Sequence, residues 1–125
     1  MLKKRLIASI IIKNGLVVQS IGFNKYYPIG HASVVLEFLE QWDVDEILLI
    51  DIDASNEGRN ISRDFIKTVS KNCFIPVTVG GGISSAEEMR EVLSYGADKV
   101  VLNSFALENP KLIKECALRF GSQSV

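Results

Sequence analysis

Four short, near-continuously apolar runs alternate with segments of helical period, and this alternation constrains the chain more than any other feature. Leu6–Ile12, Ile47–Ile52, Phe74–Val79 and Val100–Leu102 are rich in branched residues and read as buried strands. Between them, Val34, Val35, Phe38, Leu39 and Trp42 share one face of a first helix, and Ile61, Phe65, Ile66 and Val69 one face of a second. A third helix runs from Ser84 or Ser85 to Tyr95, with Ser85 and Glu88 as a capping box and Gly96 as its stop. A fourth has Asn109 at N-cap and Pro110 at N1, then Leu112, Ile113, Cys116 and Phe120 before Gly121. Such alternation implies βαβ units, a parallel sheet and right-handed crossovers.

The stretches Asp45-Glu46-Ile47-Leu48-Leu49 and Asp98-Lys99-Val100-Val101-Leu102 resemble each other, each leading from a helix end into a strand. They fit either an internal repeat of two βα units or the general likeness of buried parallel strands. A (β/α)8 barrel of ~250 residues uses roughly 31 per unit. At 125 residues the chain has the size of four units, a half-barrel, or of a small open sheet. One domain over residues 1–125 is expected.

Composition narrows the function classes. Fourteen basic against fifteen acidic residues leave no nucleic-acid footprint. The apolar stretch after the basic start is ended by Lys13 and no cleavage pattern follows, so it reads as a first strand of a cytoplasmic protein rather than a signal peptide or membrane span. Cys73 and Cys116 form no C-x-x-C and read as ordinary buried thiols. A lone histidine, His31, excludes a multi-histidine metal site within the chain and reads as a solvated residue at a helix start. Gly80-Gly81-Gly82 follows a strand and precedes a capped helix, an arrangement suited either to an anion or to a tight turn. Its spacing is not that of a dinucleotide fingerprint. Asp51, Asp53 and Glu57 offer too few oxygen ligands for a hard cation, and Asp53 and Glu57 read as a solvated loop beside Arg59.

The pieces Ala8–Gly15, Leu49–Gly58, Pro76–Ile83, Gly96–Ser104 and Arg119–Gln123, read together, resemble the N-terminal half of the cyclase subunit of imidazole glycerol phosphate synthase, a (β/α)8 barrel of histidine biosynthesis. The resemblance implies a (βα)4 half-barrel without a cofactor. It implies that Gly81, Gly82, Asn103 and Ser104 hold a phosphate. It also implies that Arg5, Glu46 and Lys99 belong to a charged ring gating ammonia from a glutaminase partner, with Asp98 and Gln123 on the partner-facing surface. Thr78 matches the family and is expected to line the lumen. The family's strand-one catalytic carboxylate corresponds to Ile11, and a substrate-contacting lysine of its first loop to Gln19, so cyclase chemistry is expected to be lost or very weak. Asp51 is the one catalytic candidate left.

Three functions compete: a phosphate-binding relative with lost chemistry, an ammonia-channelling subunit serving a sugar amidotransferase, and a non-enzymatic module. The second is similar to a cyclase-like branch that lacks the strand-one acid. Four strands with two open edges, Leu6–Ile12 and Val100–Leu102, and an apolar inner face of Ile7, Ile11, Leu48, Ile50 and Val101 lead to the expectation of a homodimer or higher closed assembly, a two-fold pairing closing eight strands.

Overall fold

The computed structural model describes residues 2–125. Its strands are β1 (Ile7–Lys13), β2 (Leu16–Ile21), β3 (Lys25–Gly30), β4 (Glu46–Asp51), β5 (Val77–Gly80) and β6 (Lys99–Val101). Its helices are α1 (Ala32–Gln41), α2 (Arg63–Asn72), α3 (Ala86–Ser94), α4 (Ser104–Glu108) and α5 (Lys111–Phe120). One sheet runs β3-β2-β1-β4-β5-β6, parallel from β1 through β6 and antiparallel across β1, β2 and β3.

The four expected strands are therefore β1, β4, β5 and β6, and two more precede the first helix. The extra pair follows from a signal present in the chain. Asn14-Gly15 separates two apolar runs, and both residues have positive φ (50° and 74°), as a type I′ hairpin turn requires. A second tight turn places Gly22 and Phe23 at positive φ, with the Asn24 N–H donating to the Ile21 carbonyl at 3.3 Å.

Strand five begins at Val77 rather than Phe74. Phe74 is 92% exposed, and Pro76, which lacks an N–H, gives only its carbonyl to the Ile47 N–H at 3.0 Å. Ser85 caps α3 through the Glu88 N–H at 3.2 Å, as its spacing implies. Helix α4 was not anticipated; at five residues it is too short to show a period.

Side-chain alternation builds two faces. Ile10, Ile12, Ile47, Leu49, Val77, Val79 and Val100 are buried under Leu36, Ile66, Val69, Met89, Val92, Leu112 and Cys116 of the helices. The opposite face carries Ile11, Leu48, Ile50, Thr78 and Val101, all half-buried, with Ile7 exposed. Thr78 shares this face with the residues that the alternation assigns to it.

The edges differ from expectation. β2 pairs with Ile11, Ile12 and Lys13, so only the lower part of the β1 edge is free. On the far side, the Val100 N–H donates to the Ser124 carbonyl at 2.8 Å, so the last residues already occupy one rung beside β6. No helix of the described residues is long and apolar enough to cross a membrane.

Candidate functional site

The C-terminal ends of β4, β5 and β6 open onto a cavity of about 300 Å³. Gly81, Gly82, Asn103 and Ser104 all line it, together with Asp51, Ser55, Asn56 and Phe105. The glycines are there because the β4–α2 loop runs against them. A Cβ on Gly82 would lie 1.8 Å from the Arg59 carbonyl oxygen, and one on Gly81 would lie 2.7 Å from that of Asp51. Both also have positive φ, 71° and 134°. The Gly81 carbonyl accepts the Ile61 N–H at 3.1 Å, which fixes the loop leading into α2. Helix α3 is less available to an anion than its sequence suggested. Glu88 accepts from both the Ser84 N–H (2.6 Å) and the Ser84 hydroxyl (2.9 Å), and Glu87 lies in the same first turn. Backbone at Gly81 and Gly82 and polar groups of Asn103 and Ser104 remain to face a ligand. Ser55 and Asn56 were missed, because nothing in their local spacing brings the β4–α2 loop to the β6 end; Phe105 was missed although it directly follows Ser104.

Asp51 is buried at the cavity floor with both oxygens engaged. One accepts the Asp53 N–H at 3.0 Å and the other pairs with Arg59 Nη1 at 2.7 Å. Glu57 pairs with Arg59 Nε at 2.5 Å, and with Asp51 it raises the affinity of that guanidinium for its proton. Asp51 therefore anchors a loop through both of its oxygens while lining the cavity. Asp53 corrects the solvated-loop reading. It is buried, accepts the Asn14 N–H at 2.8 Å, and pairs with Lys13 Nζ at 2.7 Å. Two turns far apart in sequence are thereby tied together. With each carboxylate answered by a cation or an N–H, the three acids do not converge into a cation site.

The Lys13 hydrogen bond, followed by that from Asn14, holds the Asp53 carboxyl below its usual value, and Asp53 raises the Lys13 ammonium above its own. A lowered acid stabilises the fold above its unfolded pKa of about 3.9, and that contribution is lost as pH falls through the folded value. A raised lysine contributes below its usual 10.5 and loses the contribution as pH climbs past it. The hairpin root should accordingly be firm between about pH 4 and 10 and loosen below. The protection factor of the Asn14 amide, its intrinsic rate at each pH divided by its observed exchange rate, followed by NMR from pH 6 to 3, should fall in the wild type and be low throughout in Asp53→Asn. Equal protection in both proteins would refute the clasp.

At the opposite end of the sheet, Glu46 is 4% exposed and accepts from Arg5 and from Lys99, the latter at 3.3 Å. The three residues come from the start of the chain, β4 and β6, and the fold brings them together. Thr78 is in register with both Leu48 and Lys99 above this ring. Asp98 is exposed, but its carboxylate accepts the Val77 N–H at 2.8 Å, so it fastens β5 as well as facing outward. Gln123 is exposed.

Ile11 is half-buried between Ile50 and Val18 in register. Gln19, expected on a loop near the ligand, lies instead on β2 in a groove at the other edge of the sheet. His31 precedes α1, exposed and without a side-chain cap bond. Cys116 is buried, and Cys73, contrary to expectation, is only half-buried. Desolvation pushes both thiols up, which makes them poor nucleophiles.

Residues 5–125 match the histidine biosynthesis protein family. The chain belongs to that family. It is 49% identical over its whole length to a Vibrio vulnificus (strain YJ016) protein provisionally named imidazole glycerol phosphate synthase subunit hisF2, covering 46% of that protein. It is 44% identical to imidazole glycerol phosphate synthase subunit HisF of Petrotoga mobilis, again over the whole chain and 50% of the relative. For HisF of Thermococcus onnurineus the identity is 43%, with the same coverage. The chain spans about half the length of the curated relatives it matches. Its α/β fold, with a mainly parallel sheet, corresponds to half of such a barrel.

Proposed function

We propose that this chain is a phosphate-binding half-barrel, one folding unit over residues 1–125, with cyclase turnover lost or very weak and a second copy closing its sheet. What carries the reading is that Gly81, Gly82, Asn103 and Ser104, distant in sequence, line one cavity of about 300 Å³. Backbone N–H groups and short polar side chains at strand ends suit a phosphate or a phosphorylated small molecule. Titration with inorganic phosphate, followed by calorimetry and by 31P NMR, tests this. Millimolar binding is expected, and an unchanged 31P signal with ordered loops would overturn it.

The chemistry argument rests on Ile11. A side chain without an ionisable group cannot exchange protons where the family resemblance calls for a carboxylate, and a positioned acid or base contributes on the order of 10²–10⁴. No measurable ammonia-dependent cyclase turnover is expected. Turnover within tenfold of a full-length cyclase would sink that statement.

The Glu46 ring favours a second reading, an ammonia-channelling role with a glutaminase seated near Arg5, Glu46, Lys99, Asp98 and Gln123. Its expected result is stimulated glutaminase activity and a complex in the ultracentrifuge at tens of micromolar, a generous concentration for a standard interface of about 1,600 Å². With neither, the non-enzymatic reading leads. Self-pairing draws support from the open apolar inner face; β1 of a second copy would take over the rung that Ser124 now occupies on Val100.

A further inference from the structure

Two helix flanks at the ends of the sheet are apolar and uncovered. On α1, Val34, Phe38 and Trp42 recur every four residues and are 52%, 53% and 71% exposed. They lie on one side of the helix. The other side carries Glu40, whose carboxylate accepts the Phe74 N–H at 2.8 Å in the segment leading to β5. Between the stripe and the buried face, Val35 and Leu39 line a groove of about 660 Å³ with Ile10, Val17 and Ile29. A row of large apolar side chains at helical spacing, continuous with a groove, marks a surface that takes a helix. At the far end, α5 is held to α3 by the Arg119–Glu87 ion pair at 2.5 Å, and Ile113 on its other flank is 45% exposed.

Charge decides what fits. Helix α1 carries Glu37 and Glu40 and no Lys or Arg, whereas α5 carries Lys111, Lys114 and Arg119 against Glu115 alone. Two α1 helices would repel each other; α1 and α5 attract. We propose that α1 of each copy packs on α5 of the other, with Val34, Phe38 and Trp42 against Ile113 and with Glu37 and Lys114 paired at the rim. This rests on the self-pairing proposed above and specifies its surface.

The test is sedimentation equilibrium of the intact chain and its variants. Phe38→Glu and Ile113→Glu, both at exposed positions that a monomer tolerates, should each weaken the dimer about tenfold or more. Glu37→Lys and Lys114→Glu should each weaken it about two- to fivefold, and the double swap should restore it. A dimer indifferent to Phe38→Glu and Ile113→Glu overturns this surface while leaving self-pairing intact. Weakening without charge rescue overturns the pairing of α1 with α5. A wild-type monomer at tens of micromolar removes self-pairing and this inference with it. Circular dichroism of each variant separates dissociation from unfolding.

Discussion

Gly82→Val should abolish phosphate binding and lower stability by roughly 2–6 kcal/mol, the sum of a strained backbone and an overpacked contact. Valine at a φ of 71° is strained in any surroundings, and here its Cβ would start 1.8 Å from the Arg59 carbonyl oxygen. Backbone cannot rotate away as a flexible side chain would. The loop from Asp51 to Ile61 would have to move, taking with it the Asp51–Arg59 pair and the Gly81–Ile61 hydrogen bond. Against a typical total of about 5–15 kcal/mol, such a loss is large, and the thermal midpoint should drop by more than about 10 °C. Gly58 supplies the control, since it lies in the same loop at a φ of 62° with nothing within 4 Å of its added Cβ. Gly58→Val should show the backbone cost alone and keep phosphate binding. If the two variants lose stability equally, close packing of Gly82 on the loop is not what makes glycine necessary there.

The parallel strands were legible because both of their faces are apolar in this chain, which produces continuous runs rather than alternation. The same property blurred their ends. Phe74 and Leu102 are apolar but lie outside the strands, where Pro76 and the turn into α4 end the pairing. The hairpin was legible in principle from Asn14-Gly15, yet Gln19 read as a loop residue because the resemblance, rather than the turn chemistry, guided that segment. The cavity residues could be named from the glycine run and the polar end of β6. Their local clasps could not. Lys13 with Asp53 joins two turns whose adjacency only the sheet order creates, whereas the grouping of Glu46 with Arg5 and Lys99 came from the family resemblance rather than from spacing. No spacing in sequence encodes that adjacency. Asp51 is the converse case: its place at a strand end was legible, but Arg59, eight residues on, gives no local sign that it turns back to pair with it.

Leu48→Asp should abolish the self-pairing proposed above and make the thermal midpoint independent of protein concentration. The argument turns on what covers the inner face. In one copy alone, Leu48 is half-buried, with Ser9 and Thr78 beside it in register and Lys99 beside Thr78. A carboxylate there would still reach water, so the isolated copy should lose only about 1 kcal/mol. Between two closed sheets the same carboxylate would be desolvated among Ile11, Ile50 and Val101 of both copies. An uncompensated buried charge costs about 3–5 kcal/mol, and two-fold symmetry places one in each half. The loss falls on association rather than on the fold of each copy, so the variant should remain helical by circular dichroism while sedimenting as a monomer. Because a partner that binds only the folded state raises the midpoint with concentration, wild type should show that dependence and Leu48→Asp should not. A Leu48→Asp protein that stays dimeric with an unshifted midpoint would mean that the inner face is not the surface the two copies share.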